Sequence, residues 1–255
     1  MEKILAMEEI QKKLLYMAKV VCSILEQNNI PYIVIDGTLL GAIRHKGFIP
    51  WDDDFDILLF DDTYDEACAV LRNELPSNMF LEDEKTEPLY FHSWAHVKDR
   101  DTSVVFKEWH QDALYSCQGL AIDLYKAKKM EKGDLNEYLL NEELLYRKRQ
   151  LHAGIIQDYE YCKYEETIND KKNRMNNTGE SDDSIEIYGR ITKYVSPFLF
   201  VEEVFPLRKI KFESETFWGP NKPFDILARS YGNYMELPPE NKRVGSYLKV
   251  LGEEA

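Results

Sequence analysis

Apolar residues recur mostly three, four or seven apart over residues 2–28, at Ile4, Ile10, Leu14, Met17, Val21, Ile24 and Leu25. That spacing predicts one long amphipathic helix, ended by Asn28-Asn29 with Pro31 marking the exit. The period then changes. "YIVID" (32–36) predicts a short β-branched strand closed by Gly37-Thr38, "LLGAIRHKG" a helix starting at Gly37-Thr38 and stopping near Gly47, and "DFDILLF" (54–60) a second strand. "FHSWAHVKDRDTSVVF" predicts a strand pair around a polar turn at 98–101, and "GLAIDLYKA" (119–127) a further strand with one acid among apolar neighbours. From about 131 the chain is charge-rich and helical in pattern, and "NRMNNTGESDDS" (173–184) is the expected mobile loop. The C-terminal stretch predicts two short strands, a Pro/Gly turn, a helix from about 224 and a Pro-Pro stop.

Composition narrows the class. With 255 residues, 44% hydrophobic and 31% charged, the chain suits one large domain or two lobes with a real core. Its formal net charge of -14 argues against non-specific binding to nucleic acid, which needs lysine and arginine along the phosphates, and against electrostatic attachment to an anionic membrane. No stretch approaches the roughly 18 apolar residues of a spanning helix, and the N-terminus lacks the apolar block and cleavage site of a signal peptide. Cys22, Cys68, Cys117 and Cys162 are scattered, which predicts reduced thiols and neither zinc nor a disulfide framework. A cytoplasmic protein follows as the expectation, with at most peripheral contact at the inner face of a membrane.

"WDDDFDILLF" poses the chemical question, because crowded aspartates repel and the run after them wants burial. In a strand Asp54 and Asp56 point the same way, their alpha carbons roughly 7 Å apart. Carboxylates so placed can share a hard cation, and magnesium or manganese suits them. Asp123, between Ile122 and Leu124, is the third candidate ligand if its strand lies beside residues 54–60. The plainer alternative is a solvated turn. An EF-hand fails, because Ile57 and Thr63 occupy its glycine and terminal glutamate positions. Gly37 and Thr38 at a helix start can offer N–H groups and a hydroxyl to an anion, and Arg44, His45 and Lys46 at its far end are donors suited to a diphosphate. His92 and His96, in a strand-like segment, favour structural roles over zinc. Phe48 and Trp51 can pack a base or a cationic methyl group, or simply the core.

The order of a Gly-Thr helix, an Asp-x-Asp strand and a later strand acid resembles the nucleotidyltransferase fold. "DGTLLGAIRHKGFIPWDDDFDILL" and the closing "FPLRKIKFESETFWGPNKPFDILARSYGNYMELPPENKR" resemble the LicD family of phosphocholine-type and fukutin-related transferases. The resemblance implies an α+β fold: a nucleotidyltransferase-like mixed sheet flanked by helices over 1–128, then a mainly helical lobe over 129–255. It implies transfer of a phospho-substituent, phosphocholine first, from a CDP-activated alcohol such as CDP-choline to a sugar hydroxyl of a surface glycan (lipopolysaccharide or teichoic acid), releasing CMP. Asp54, Asp56 and Asp123 match the family's acids as metal ligands and catalytic groups, with Gly37, Thr38, Arg44, His45 and Lys46 on the diphosphate. After Asp123 the family's usual Phe-Pro-Leu-Asp gives way to "LYKAKK". A nucleotidyltransferase acting at the α-phosphorus, and a non-catalytic nucleotide or glycan binder, are the competing readings. Tyr231, Gly232 and Tyr234 match the closing motif without an assigned role.

Overall fold

The computed structural model describes residues 2–107, 111–178, 184–192 and 195–253. In chain order the elements are β1 (Glu2–Ile4), α1 (Met7–Gln27), β2 (Tyr32–Val34), α2 (Asp36–Arg44), β3 (Asp56–Phe60), α3 (Asp61–Glu74), β4 (Met79–Glu82), β5 (Ala95–Asp99), β6 (Thr102–Phe106) and β7 (Ala121–Glu131). They continue with α4 (Leu135–His152), α5 (Asp158–Thr178), β8 (Glu186–Arg190), β9 (Phe198–Phe200), α6 (Val201–Val204), β10 (Arg208–Phe212), β11 (Glu215–Gly219), α7 (Pro223–Tyr231) and β12 (Tyr247–Glu253).

The central sheet runs β2-β3-β7-β5-β4, with β8 joined to the far half of β7 and β9 to β8. Among the described residues only β3 and β7 run parallel in this sheet, so the sheet is mixed and the fold α+β, as expected. β3 is buried along its whole length, which is why "ILLF" after Asp56 is continuously apolar rather than alternating. α1 lays Leu14, Met17, Val21 and Leu25 into the core as its spacing predicts. It begins later than predicted, however. Glu9 accepts from the Ala6 N–H at 2.8 Å and closes the helix start, while residues 2–4 pair with β12 and leave Ile4 exposed.

The predicted pair around 98–101 also resolves differently. β5 and β6 both form, but β5 lies between β4 and β7, whereas β6 pairs with β12. The turn is pinned from outside: the Asp99 N–H donates to Leu120 O at 2.9 Å and the Arg100 N–H to Asn78 O at 2.8 Å. These bonds send the two strands into separate sheets. The helical pattern after 131 becomes α4 and α5, and α5 continues to Thr178, so the first half of the expected loop is helix; residues 179–183 lie outside the described residues. The expected boundary at 128/129 falls inside β7, and β8 and β12 add strands to both larger sheets. The four cysteines are free thiols. Among the described residues no helix is long and apolar enough to cross a membrane.

Candidate active site

Phe55 sets the orientation of the acids around it. Its fully buried ring meets Phe48, Phe212 and Phe217 edge-on at centroid distances of 6.1, 5.4 and 5.4 Å. With Phe55 turned into the core, Asp54 and Asp56 face the other way. The Asp56 N–H donates to Thr38 Oγ1 at 2.7 Å, and its carboxylate accepts from the Gly37 N–H at 3.1 Å. The start of α2 is thus aimed at Asp56, where the helix dipole favours negative charge.

Asp123 is the direct partner of Asp56 across the parallel β3–β7 pair, and its N–H donates to Phe55 O at 3.0 Å. The row continues across the sheet, because Asp123 faces His96 on β5 and His96 faces Glu82 on β4. His96 bridges both acids, Nε2 to Asp123 Oδ1 at 3.1 Å and Nδ1 to Glu82 Oε2 at 3.1 Å. Burial works against the imidazolium, but these two carboxylates outweigh it and push His96 up to about 9. Burial likewise works to raise Asp123, and the His96 hydrogen bond and charge overcome it, holding the acid below the usual range. Tyr125 Oη donates to the other Asp123 oxygen at 3.1 Å.

Asp54 and Asp56 have the opposite character. Both are pushed well above the carboxylate range, Asp54 by burial and by Asp52 and Asp123, Asp56 by burial and by Asp54, Asp36 and Asp123. Asp52 is raised to about 7 by burial and by Asp53, against the pull of Arg44. A Cβ on Gly37 would lie 3.1 Å from Asp52 Oδ2 and 3.4 Å from Asp56 Oδ2, so a bare backbone is what lets both carboxylates approach the helix start. Asp53 faces elsewhere: it accepts from the Ser246 and Tyr247 N–H groups at 2.7 and 2.9 Å and ties the C-terminal strand to the acid turn.

Sequence reasoning did not anticipate the cation at the edge of this cluster. Arg190 on β8, only 2% exposed, grips Asp36 through two bonds of 2.7 and 2.6 Å. Burial disfavours that guanidinium, yet Asp36 beside it raises it above its ordinary value. Asp36 holds a left-handed φ of 48° at the first residue of α2, a conformation aspartate tolerates better than most.

The basic triplet does not act as one unit. Arg44 Nη1 donates to Tyr234 O at 2.7 Å, and burial lowers its guanidinium against the pull of Asp52. His45 accepts from Arg44 Nε at 3.3 Å and is lowered by burial and by Arg44, which leaves it neutral. Lys46 Nζ donates to the Ile43 carbonyl and closes α2. Phe48 is buried in the aromatic cluster, and Trp51 carries Arg243 over its ring at 5.7 Å. Lys98 is buried 3.8 Å from Glu82, while Arg100 lies over the Phe80 ring.

The donor set decides whether a hard divalent cation fits. Asp54 has no hydrogen-bond or ion-pair partner among the described residues, and burial and then like charges raise it and Asp56. Oxygen-only donors with uncompensated charge match magnesium or manganese. Among the described residues no group of three or more His, Cys, Asp or Glu side chains is arranged to hold a metal ion.

Comparison with known proteins fits this geometry. Residues 29–142 match the model of the LicD/FKTN/FKRP nucleotidyltransferase domain. The chain is 24% identical over 254 residues to the lipopolysaccharide cholinephosphotransferase LicD of Haemophilus influenzae, covering 88% of this chain and 89% of that one. It is 28% identical over 124 residues to an uncharacterized protein of Rickettsia typhi, 45% of this chain and 38% of the other. A Rickettsia prowazekii protein is 62% identical over 34 residues, 13% of each chain.

Proposed function

Through residues 29–142 the chain belongs to the LicD family, and we propose that it is a transferase moving a phospho-substituent, phosphocholine first, from a CDP-activated donor to a sugar hydroxyl with release of CMP. The observation that carries this reading is the pairing of Asp56 with Asp123 across two parallel strands beside Asp54, which among the described residues has no cation partner. The similarity to a lipopolysaccharide cholinephosphotransferase supports the choice of phosphocholine and of a glycan acceptor.

Asp54 and Asp56 would hold one or two magnesium or manganese ions. When bound, the metal supplies neutralisation of the diphosphate and of the leaving CMP oxygen. Asp123, kept ionised by His96 and Tyr125, suits a ligand role better than that of a general base, since a carboxylate so weakly basic gains little from taking a proton. Gly37 and Thr38 hold Asp56 and would thereby position the donor beside it. Arg44, held by the Tyr234 carbonyl, would meet the donor's phosphates. In-line attack of the acceptor hydroxyl on the β-phosphorus forms the new P–O bond as the bond to CMP breaks, and the hydroxyl proton leaves with the CMP phosphate. Most of the acceleration then comes from positioning and charge neutralisation.

The test is product analysis with a panel of CDP-alcohols and sugar acceptors under magnesium. CMP release that collapses in a folded Asp56→Asn variant is expected. Wild-type turnover in that variant refutes the assignment of Asp56, and pyrophosphate release from CTP points instead to nucleotidyl transfer.

A further inference from the structure

Large apolar side chains left in water are ordinary when scattered and informative when crowded. Among the described residues twelve large apolar side chains are exposed, and six of them, Phe224, Tyr231, Met235, Leu237, Val244 and Leu248, fall within residues 224–248. About a tenth of the chain thus carries half of these side chains, with exposures from 36% at Tyr231 to 63% at Leu248.

Hydrogen bonds gather these residues in space. Phe224 and Tyr231 lie seven apart on α7 and so on one face, while Ile226 and Leu227 turn into the core. Gly232, with a φ of 63°, ends the helix. Arg44 then holds the Tyr234 and Glu236 carbonyls at 2.7 and 3.4 Å, one on either side of Met235. Arg243 Nε donates to Pro238 O at 2.8 Å and closes a loop whose flanking residues are Leu237 and Val244. Beyond it Asp53 accepts from the Ser246 and Tyr247 N–H groups, next to Leu248. Residues 234–247 are therefore a strap, fastened by Arg44 on one side and on the other by Asp53, which belongs to the aspartate run itself.

Charge sets this stretch apart from the rest of the molecule. The whole chain carries a formal net charge of -14, yet residues 222–249 hold five basic side chains, Lys222, Arg229, Lys242, Arg243 and Lys249, against Asp225, Glu236 and Glu240. Arg229 is taken up by Glu203, and Arg243 lies over the Trp51 ring. Lys222, Lys242 and Lys249 are exposed and have no ion pair among the described residues. Lysine is depleted in protein–protein interfaces, which disfavours a protein partner or a second copy. Exposed aliphatic and aromatic groups interleaved with lysine suit an anionic lipid surface instead: the apolar groups enter the headgroup layer and the ammonium heads reach the lipid phosphates.

We propose that residues 222–249 form a docking face for an anionic lipid surface, with the six apolar side chains in the headgroup layer and Lys222, Lys242 and Lys249 on its phosphates. Because the strap is tied to Arg44 and Asp53, docking brings the acid cluster to that surface. That a glycan carried there is the acceptor rests on the transferase reading above, whereas lipid binding itself does not.

The experiment floats the full chain on a density gradient with phosphatidylcholine vesicles, with and without phosphatidylglycerol. Binding to the anionic vesicles is expected. Phe224→Ser/Met235→Ser/Leu237→Ser removes apolar area and is expected to weaken it at least about tenfold. Lys242→Gln/Lys249→Gln removes two charges from the face and is expected to do the same. Tyr16→Ser/Leu145→Ser takes exposed apolar groups from outside the stretch and is expected to bind as wild type does. All these side chains are exposed, so circular dichroism is expected to show every variant folded. No flotation with either vesicle, equal flotation of wild type and either strap variant, or an equal loss in the Tyr16/Leu145 variant overturns the proposal. Self-association of wild type that the apolar variant abolishes, without vesicle binding, assigns the face to a second copy and overturns it too. CMP release with a soluble sugar acceptor is expected to be unchanged in both strap variants. Vesicle binding with no CMP release from any CDP-alcohol overturns the transferase reading and leaves the lipid face standing.

Discussion

Removing Arg190 tests how the acid cluster is held. The guanidinium makes two bonds of 2.7 and 2.6 Å to Asp36 and a third, through Nε, to Ser196 O at 3.3 Å, all in a buried setting. Arg190→Met leaves Asp36 without its counter-ion beside Asp54 and Asp56. Breaking a buried pair from one side costs about 3–5 kcal/mol. For a chain of this size that corresponds to a fall of about 6–20 °C in Tm. The double variant Arg190→Met/Asp36→Asn removes the orphaned charge and keeps a residue that tolerates the left-handed φ, so most of the loss is expected to return. Thermal unfolding by circular dichroism at pH 7.5, with chelator present, reads both. A single-variant loss under about 2 °C, well below the range for a buried pair, refutes the reasoning, as does a double variant no more stable than the single one.

Asp52 is raised in the fold from 3.8 to about 7, so its contribution to stability is present below 3.8 and lost as pH rises through about 7. Asp52→Asn is expected to flatten the fall in Tm of the cation-free protein over that window, by on the order of 4 kcal/mol at most; parallel Tm–pH profiles count against it. His96 is raised from 6.5 to about 9, so its stabilisation is complete below 6.5 and lost as pH rises through about 9. The gap in Tm between wild type and His96→Gln is expected to shrink across that range, and a gap independent of pH contradicts the ion-pair role. Gly37→Ala brings a Cβ against the Asp52 and Asp56 carboxylates; steady-state assays are expected to show reduced turnover with Tm nearly unchanged, and full turnover speaks against that close approach.

What could be read from the chain was what local pattern encodes. Alternation around Phe55 set Asp54 and Asp56 on one side, and the apolar flanks of Asp123 marked a buried strand acid, which the β3–β7 register places beside Asp56. Arg190 was invisible because its partner lies 154 positions away and its strand is five residues within a charge-rich region. His96 was weighed against His92, four residues along the chain, whereas its partners are cross-strand neighbours on β4 and β7. β12 escaped notice because exposed Leu248 blurs its pattern and its partners are the remote β1 and β6. Within the expected loop at 173–184, residues 173–178 are helix because the polar run continues the turns of α5 as far as Thr178.

Thermal unfolding of wild type and Asp56→Asn, with chelator and then with magnesium plus CDP-choline, bears most directly on the claim that the crowded aspartates are a cation site. Without cation, Asp56→Asn is expected to be the more stable protein, because a carboxylate whose charge is disfavoured has been neutralised. With cation and donor near 100 times their dissociation constants, wild type is expected to gain about 2.7 kcal/mol, or about 5–11 °C, and to overtake the variant. A wild-type Tm that ignores magnesium and donor, with Asp56→Asn keeping the same lead under both conditions, contradicts it.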